Sequence, residues 1–582
     1  SLSIFVFYSV VSGQVDSIVG QFTNSPAESF AGGISGNGRF VVVESRGNIA
    51  TVNPRNTDGN REIFLFDYAQ RHIFQITDTK SVLFNPTQPP TFNNIRVEIA
   101  NTRPVISNNG RWSAFSSNAT SSTPDAPNAT NPGSFDGNVL TTPTPTPSPT
   151  PTPSPSPSPS PSPTGSPSPT PTPAYNPLQD DGNLEMWMYE IPAYAPADLR
   201  TGEEIPFVDL SVGTFIAVTN TPPSRLPVPS TQTTGAFVAE DNHDATIDDD
   251  GSVIAFVSTR DLVTGGNPFP DDDNDEIFTF VRTGQTGTVS QVTQTPRGPI
   301  FDPIYNKNPS ISGDGLRVIF SSTGDNPIIG MTGGNNPETS RNEEIFLADL
   351  DATGAPTGNK LQLTVTTPTN PGDIVNILDI GRRLSRDGRY LAFDSAADLA
   401  NEHGGENQDS FALYLYDLQN PLAPVISRVG PRSDADEEAG GGDVTHYPGF
   451  SDYDINGTPQ SLVLSMRLNI TPQGTIPANE EDGLNPTDGR PVQIYSYPIG
   501  PPKGEPATFT RLSKFPSASA LFATTQAIPS ETTRRITFNL ALTELGTGNF
   551  DGQSESYYLY TPVATTEITA NRTFFTGASR LP

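Results

Sequence analysis

One stretch of the chain has the spacing of a calcium-binding loop. Asp452, Asp454 and Asn456 precede Gly457 in the pattern D-x-D-x-N-G, and oxygen ligands of this kind suit Ca²⁺. The twelfth position is Val463, so the bidentate glutamate of an EF-hand is missing. The same Asn-Gly pair is also an ordinary hairpin turn, which needs no metal. Both interpretations stay open at this stage.

A second acidic group consists of Asp271, Asp273 and Asp275. Crowded carboxylates repel each other unless a cation or solvent separates them, so this group is a second candidate calcium site. The alternative is a solvated acidic surface.

The residues needed for most enzyme classes are missing from the sequence. The chain has four histidines, none of them in a His-Glu-x-x-His spacing, and it has no G-x-S-x-G, P-loop or dinucleotide fingerprint. A glycosidase or lyase stays open as an alternative, because its two carboxylates need only meet in space. We therefore expect no catalytic role and no cofactor apart from Ca²⁺.

Composition narrows the range of partners. The net charge of -31 repels phosphate backbones and anionic lipid, so nucleic-acid binding is not expected. Cysteine is absent, which removes disulfides and thiolate metal sites. No stretch is long and apolar enough to span a bilayer.

The elements that position these residues follow from a repeated pattern, seen most clearly in residues 308–364. Two alternating apolar runs flank Asp314-Gly315, which predicts a β-hairpin. In the second run Val318 and Phe320 share one face, and Ile319 lies on the other. Two further strands follow, and because a single sheet of this size cannot bury both faces, the repeats must stack.

The repeats resemble a known family. The segment beginning at Ser312 and four others are similar to the W-S-P-D-G-x-x-I-A-F repeat of TolB-like, WD40-like β-propellers. The five turns are residues 35–38, 107–110, 248–251, 312–315 and 385–388. The D-G-N-x-E-I-Y segment of that family resembles the sequence at four glutamates, Glu62, Glu185, Glu276 and Glu344. The resemblance implies an all-β, seven-bladed β-propeller of four-stranded antiparallel blades, and a fold used mostly for binding and scaffolding.

Domain limits follow from the repeats. We expect an N-terminal strand segment in residues 1–27, the propeller in 28–575 and a C-terminal tail in 576–582. The long insertions fall in loops that share one face of the ring, so the other face should be flat. The recurring glutamates either line the loop-bearing face or, as we prefer, hold neighbouring blades together.

A Pro/Ser/Thr tract occupies residues 141–173, inside blade two. Proline cannot donate to a sheet, so the tract is either polyproline II or disordered. Its hydroxyls are candidate glycan sites, as are the Asn-x-Ser/Thr sequons; the alternative is an inert low-complexity insertion. The candidates are Thr141, Thr144, Ser148, Asn118, Asn128, Asn456, Asn469 and Asn571.

The first residues, SLSIFVFYSVVSGQ, form a short apolar segment that resembles a β-strand or the end of a signal peptide. Ile4, Val6, Tyr8 and Val10 alternate along it, as in a strand. Such a strand either closes its own ring or adds to a neighbouring copy, and the second arrangement would build a filament.

We therefore predict a non-enzymatic structural or adhesive scaffold, extracellular or at the cell surface, with the periplasm as an alternative. Its partners would be other proteins or copies of itself, with possible glycans. A calcium-dependent binding propeller is the first alternative function.

Overall fold

The computed structural model is a ring of seven four-stranded antiparallel sheets with almost no helix. This confirms the predicted all-β, seven-bladed propeller. The structure describes residues 18–79, 82–83, 91, 96–119, 183–200, 205–221, 240–268, 273–436, 445–486, 490–500, 507–515, 526–540, 549 and 551–561.

Each of the first four blades is built from consecutive strands. Blade one contains β2 (Ser29–Ile34), β3 (Phe40–Ser45), β4 (Glu62–Asp67) and β5 (His72–Gln75). A small hairpin, β6 (Val82–Leu83) and β7 (Arg96–Val97), precedes blade two. Blade two contains β8 (Asn101–Ile106), β9 (Trp112–Ser117), β10 (Glu185–Glu190) and β11 (Thr214–Ala217). Blade three contains β12 (Asn242–Ile247), β13 (Val253–Ser258), β14 (Glu276–Thr283) and β15 (Thr286–Gln291). Blade four contains β16 (Asn306–Ile311), β17 (Arg317–Ser322), β18 (Glu344–Leu350) and β19 (Pro356–Gln362).

The remaining blades complete the ring. Blade five contains β20 (Asn376–Ile377), β21 (Tyr390–Ser395), β22 (Ala412–Asp417) and β23 (Val425–Val429). Blade six contains β24 (Gly449–Tyr453), β25 (Pro459–Met466), β26 (Gln493–Pro498) and β27 (Thr510–Arg511). Blade seven contains β28 (Ile528–Pro529), β29 (Arg535–Leu540), β30 (Glu555–Tyr560) and the N-terminal strand β1 (Ile18–Gln21). Short 3-10 helices cover Glu338–Ser340 and Glu480–Asp482.

Stacking of the blades explains why their second strands are apolar on both faces. Val318 and Phe320 pack in the core between blades three and four, and Ile319 packs in the core between blades four and five. All three side chains are fully buried. Each blade therefore supplies apolar side chains to two interfaces, as expected of stacked repeats.

The ring is closed by the N-terminal segment. Strand β1 pairs antiparallel with β30, from Ile18 opposite Tyr560 to Gln21 opposite Tyr557. The N-terminal strand β1 is thus the outer strand of blade seven, whose other three strands are the last three of the described chain. The proposed assembly residues Ile4, Val6, Tyr8 and Val10 lie outside the described residues.

The sequence predicted a flat face opposite the long loops, and in the structure one connection lies across part of that face. The connection between β10 and β11 runs over this face from blade two across blades one and seven. Arg39 of blade one donates to the carbonyl of Ala195 at 2.6 Å, and Arg535 of blade seven donates to the carbonyl of Leu199 at 3.1 Å. We call residues 191–200 the strap. The sequence prediction considered only the long insertions, which it placed on the other face. The strap was not among them, because it contains no long polar run.

Candidate functional site

The innermost strands of the blades surround an axial cavity. It measures about 840 Å³ when its open mouth is included, and residues of every blade except blade four line it. Apolar wall residues include Ile106, Ile247, Phe450 and Ile528. Concave sites of this kind are where proteins commonly bind ligands, so the groups that face the cavity decide what it can hold.

The turns after the innermost strands seal one end of the cavity. Their backbones form a ring of hydrogen bonds from blade to blade. In each pair the backbone amide of the first residue donates to the backbone carbonyl of the second. The pairs are Gly36 to Asn108 at 2.8 Å, Asn109 to Asp249 at 2.9 Å, Asp249 to Gly313 at 3.0 Å, Gly313 to Arg386 at 2.7 Å, Tyr453 to Glu531 at 3.3 Å and Glu531 to Gly36 at 2.8 Å. At the remaining junction the backbone amide of Arg386 donates to the hydroxyl of Tyr453 at 3.4 Å. These bonds hold the seven turns close to the axis.

Charged side chains fill the centre of that ring, and we call them the axial plug. Arg386 donates to Asp249 at 2.6 Å and forms an ion pair with Glu531. Asn108 also donates to Glu531, at 2.7 Å. Arg382 reaches across the axis to Asp249 at 2.8 Å and to the carbonyl of Ile247 at 2.5 Å. The plug joins blades two, three, five and seven and closes the cavity at this end.

An insertion in the innermost strand of blade five places these arginines. Asn376 lies nine positions before Ser385, whereas Asn101, Asn242 and Asn306 each lie six positions before the first residue of their turn. The three extra residues bulge toward the axis. The hydroxyl of Ser310 on blade four accepts the amides of Arg383 at 2.9 Å and Leu384 at 3.0 Å. The bulge therefore covers the innermost strand of blade four, which explains why that strand does not line the cavity.

Beside the bulge lies a buried group of charged residues. His446 donates through its backbone amide to Asp394 at 3.0 Å, and its Nδ1 lies 2.6 Å from the other oxygen of Asp394. Burial opposes the charge on His446, but the carboxylate of Asp394 raises the pKa of its imidazole above the usual value. Burial raises the pKa of Asp379 to about 6 even though the positive charge of Arg383 acts in the opposite direction. The described residues include no hydrogen-bond partner for the buried Oδ2 of Asp379.

The recurring glutamates form a latch between blades. Glu62 accepts hydrogen bonds from the hydroxyl of Thr77 at 2.5 Å, the amide of Thr79 at 2.6 Å and the side chain of Asn101, on the next blade, at 2.9 Å. Glu185, Glu276 and Glu344 repeat this arrangement with Asn242, Asn306 and Asn376 of the following blades. The latch is thus a set of buried structural contacts away from the cavity.

Blade seven has a glutamate at the same position, whereas blades five and six carry other residues there. Glu555 of blade seven accepts from Thr23 at 2.5 Å and from the amide of Ser25 at 2.7 Å, so the N-terminal segment completes this latch. Blade five has Ala412 there. Blade six has Gln493, which accepts from Ser513 at 2.7 Å and from the amide of Phe515 at 3.0 Å. Ser513 and Phe515 follow β27 of the same blade, so the neutral amide of Gln493 replaces the contacts that the glutamates make within their own blade.

Burial raises the pKa of every latch glutamate, despite the surrounding donors. The pKa of Glu62 rises to about 8, and those of Glu185, Glu276, Glu344 and Glu555 rise to about 7. A folded-state pKa above the ordinary 4.5 means that the folded state holds the proton more tightly than the unfolded chain. The associated stability is fully present below about pH 4.5 and is lost as the pH rises through 7 to 8.

We expect a Glu62→Gln variant to lose part of this pH dependence. The free energy of unfolding of the parent chain should fall between pH 6 and pH 9, and the fall should be smaller in the variant, because glutamine cannot ionise. Denaturant unfolding at both pH values measures it, with Glu338→Gln, at an exposed glutamate in a 3-10 helix, as the control. If the free energy of unfolding of Glu62→Gln falls as much between pH 6 and pH 9 as that of the parent chain, Glu62 does not gain or lose a proton in that pH range.

The predicted calcium ligands do not converge in the structure. Asp452 accepts from the amide of Thr533 on blade seven at 2.9 Å, whereas Asp454 caps its own turn through the amides of Asn456 at 2.8 Å and Thr458 at 2.9 Å. Within the described ranges, no three acidic or histidine side chains are grouped closely enough to hold a metal ion.

The second acidic group is divided in the same way. Asp273 forms an ion pair with Arg297 at 3.0 Å, and Asp275 lies 3.9 Å from the Nε2 of His243. Burial raises the pKa of Asp275. Asp271 lies outside the described residues. The calcium prediction therefore depends on residues that each have a protein partner or are not described.

Three of the candidate glycan sites fall in the described residues. The side-chain amide of Asn118 is buried and donates to the carbonyl of Glu98 at 3.0 Å, and that of Asn469 is buried and donates to the carbonyl of Glu480 at 2.8 Å. Asn456 is exposed in its turn. A glycan fits Asn456 in the folded chain, whereas Asn118 and Asn469 would first have to leave their buried hydrogen bonds. The other candidates, Asn128, Asn571, Thr141, Thr144 and Ser148, lie outside the described residues.

Two signals in the sequence could have located features that we missed. A Thr-x-Thr pair follows the fourth strand of several blades, as at Thr77 and Thr79, and it supplies the latch donors. The longer spacing between Asn376 and Ser385 marks the bulge into the cavity.

Comparison with known proteins supports only the fold. No family model and no curated protein matches the chain. Among solved structures, it is similar to the β-propeller domain of the Trilobed protease from Pyrococcus furiosus, with 8% identity over 91% of this chain and 95% of that chain, at a TM-score of 0.35. It is also similar to the Dos1 propeller, with 9% identity over 94% of this chain and 95% of that chain, at a TM-score of 0.34.

A third similar structure is the β-propeller domain of Myceliophteria thermophila Cps50 (Swd1), with 8% identity over 94% of this chain and 100% of that chain, at a TM-score of 0.34. Identities and TM-scores this low support no particular activity. The TolB-like type stays a prediction, and the propeller assignment rests on the sheet topology.

Proposed function

We propose that the chain is a non-enzymatic scaffold with a structural or adhesive role, whose loop-bearing face binds copies of itself or another protein. The observation that carries the proposal is the pair Ile300 and Phe301, in the connection between blades three and four. Ile300 is 91% exposed and Phe301 is 99% exposed. Adjacent exposed apolar side chains of this size are typical of protein contact sites rather than of inert surface.

Further exposed apolar side chains lie in neighbouring loops. Ile329 of the blade-four loop is 36% exposed, and its amide donates to the carbonyl of Val292 at 3.0 Å, next to the connection that carries Phe301. Val365 is 56% exposed and Ile374 is 63% exposed, both in the connection between blades four and five. We call Ile300, Phe301, Ile329, Val365 and Ile374 the apolar strip.

The chemistry of the cavity supports a role without catalysis. Glycoside cleavage needs two carboxyl groups that are free to act on the substrate. The two acids of the axial plug, Asp249 and Glu531, are both held by arginines. The described helices include none that is long and apolar enough to cross a membrane.

The finer parts of the proposal come from the sequence. Secretion or display at the cell surface fits an acidic chain with a Pro/Ser/Thr tract. Mass spectrometry of material from the native host tests glycosylation of that tract and of Asn456. A chelator that lowers the melting temperature would favour the calcium-dependent alternative.

The apolar strip is tested by an Ile300→Ser, Phe301→Ser double variant. We expect association measured by sedimentation velocity to weaken about ten-fold, the effect of losing about 1.4 kcal/mol of binding free energy. Ile455→Ser is the matched control, because Ile455 is 99% exposed in a turn on the opposite face. Since copies of net charge -31 repel each other, self-association should strengthen as salt is added.

Two results would contradict self-association through the strip. One is a chain that stays monomeric at high salt and high concentration. The other is an equal loss of association in the double variant and in Ile455→Ser.

A further inference from the structure

We propose that the axial cavity is a blind pocket that binds the carboxylate of a ligand with an apolar body, such as an acylated amino acid or the end of a peptide. The pocket is separate from the apolar strip, and the inference does not depend on the proposed scaffold function.

The pocket is blind because the axial plug closes one end. The guanidinium of Arg382 crosses the axis to blade three, and Arg386 joins blades three and seven. A ligand that reaches this end of the cavity meets the side chains of Arg382 and Arg386. This geometry favours a ligand that binds with its anionic group toward the arginine side chains.

Arginine dominates the charge that faces the pocket. Its charged lining residues are Arg382, Arg383, Arg386 and Glu531, although the chain as a whole carries a net charge of -31. Asp249 pairs with both Arg382 and Arg386, so unused N–H groups rather than a net positive charge favour an anion here, and the low-dielectric walls strengthen that interaction.

The guanidinium groups are fixed and retain donors. Arg382 and Arg386 are oriented by Asp249 and Glu531, and these contacts use only part of the five N–H groups of each guanidinium. Arg383 is 4% exposed and donates to the carbonyls of Pro448 at 2.5 Å and Ile380 at 2.7 Å. Its buried Nε has no hydrogen-bond partner among the described residues. A carboxylate is the natural acceptor for such donors.

Acidic groups near the pocket offset much of the arginine charge but leave guanidinium donors unused. Asp249 pairs with Arg382 and Arg386. Glu531 is neutralised by Arg386 and by the amide of Asn108. Asp379 lies behind Arg383 in the bulge, is 8% exposed, and does not line the pocket. It offsets part of the charge of Arg383 without occupying the Nε of that residue.

The walls indicate the rest of the ligand. They consist of Gly32, Gly33 and Gly449 together with apolar side chains such as Ile106 and Phe450. The glycines let neighbouring blades pack closely, since a Cβ on Gly32 would lie 2.0 Å from the carbonyl oxygen of Pro104 and one on Gly449 would lie 2.8 Å from Pro529. The apolar side chains favour an aliphatic or aromatic body.

Calorimetry with N-acetyl-L-leucine and N-acetyl-L-leucinamide tests the inference. The two probes differ only in the carboxylate. We expect saturable binding of the acid and at least about ten-fold weaker binding of the amide, as for loss of a charge-assisted hydrogen bond. Arg383→Gln should weaken binding of the acid about ten-fold, and Arg383→Lys should restore it only in part, because lysine lacks the planar fork.

Arg389→Gln is the matched control, since Arg389 pairs with Asp417 outside the pocket. Equal binding of acid and amide, absence of binding by the acid, or equal losses in Arg383→Gln and Arg389→Gln would overturn the inference. Circular dichroism of each variant establishes that it is folded. The strip variant Ile300→Ser, Phe301→Ser should bind the acid normally, so the two proposals fail independently.

Discussion

A chain that lacks residues 1–25 is expected to melt about 10 °C or more below the full chain, because its ring is no longer closed. The deletion removes β1, which pairs with β30 from Tyr557 to Tyr560. It also removes Phe22, whose ring stacks on Phe66 at 4.5 Å. Blade seven would then expose the edge of β30, and the blade seven to blade one contact would lose its latch.

Loss of that latch adds a second cost. Glu555 accepts from Thr23 and from the amide of Ser25, both within the deleted segment. A buried carboxyl without these partners costs about 1 to 3 kcal/mol for each unsatisfied group. The effect should therefore exceed that of any exposed substitution.

Deleting only residues 1–16 is the matched control. It removes Ile4, Val6, Tyr8 and Val10 but keeps β1, so it separates ring closure from assembly through the first residues. We expect its melting temperature to equal that of the full chain in differential scanning calorimetry. Equal losses of stability in the two deletions would show that closure by Ile18–Gln21 is not what stabilises blade seven.

The repeated features of the fold could be predicted from the sequence because they are local. The turn at Asp314-Gly315 needs a left-handed backbone, and Gly315 indeed has φ of +71°. Val318 and Phe320 lie on one face of their strand and Ile319 lies on the other, so both faces are apolar. Each face must therefore pack against a neighbouring blade. These inferences need only neighbouring residues.

The axial plug could not be predicted because its partners meet only when the ring closes. Arg382 and Asp249 are 133 positions apart, and Arg386 and Glu531 are 145 apart. Each residue alone resembles an ordinary charged turn residue. Asp249 lies in one of the five repeat turns, and the sequence does not show which blade faces that turn across the ring.

The strap escaped prediction for a related reason. Residues 191–200 are rich in Ala and Pro and have no strand pattern. Only their contacts define them: Tyr194 packs edge-on against Phe40, with ring centroids 4.8 Å apart. An Arg-Asp pair occupies the same positions in three blades, and the strap covers only the pair in blade one. Comparison of these pairs therefore isolates the effect of the strap on the free energy of unfolding.

Replacing Arg39 by methionine is therefore expected to cost about 3 to 5 kcal/mol, as for breaking a buried ion pair. Arg39 is 1% exposed and donates to both oxygens of Asp67, at 2.9 and 2.8 Å. It also donates to the carbonyl of Ala195 and lies 4.6 Å from the ring centroid of Tyr194. Methionine would leave the fully buried Asp67 without its counter-charge and would free the strap.

The equivalent pair of blade five provides the control. Arg389 and Asp417 occupy the same positions, after the turn glycine and at the end of the third strand, but their side chains are 33% and 23% exposed. Arg389→Met should cost less than about 1 kcal/mol in denaturant unfolding, because solvent screens an exposed pair. In the double variant Arg39→Met, Asp67→Leu, stability should recover in part, since no buried charge then remains unpaired. Equal costs for Arg39→Met and Arg389→Met would mean that the strap does not exclude water from blade one.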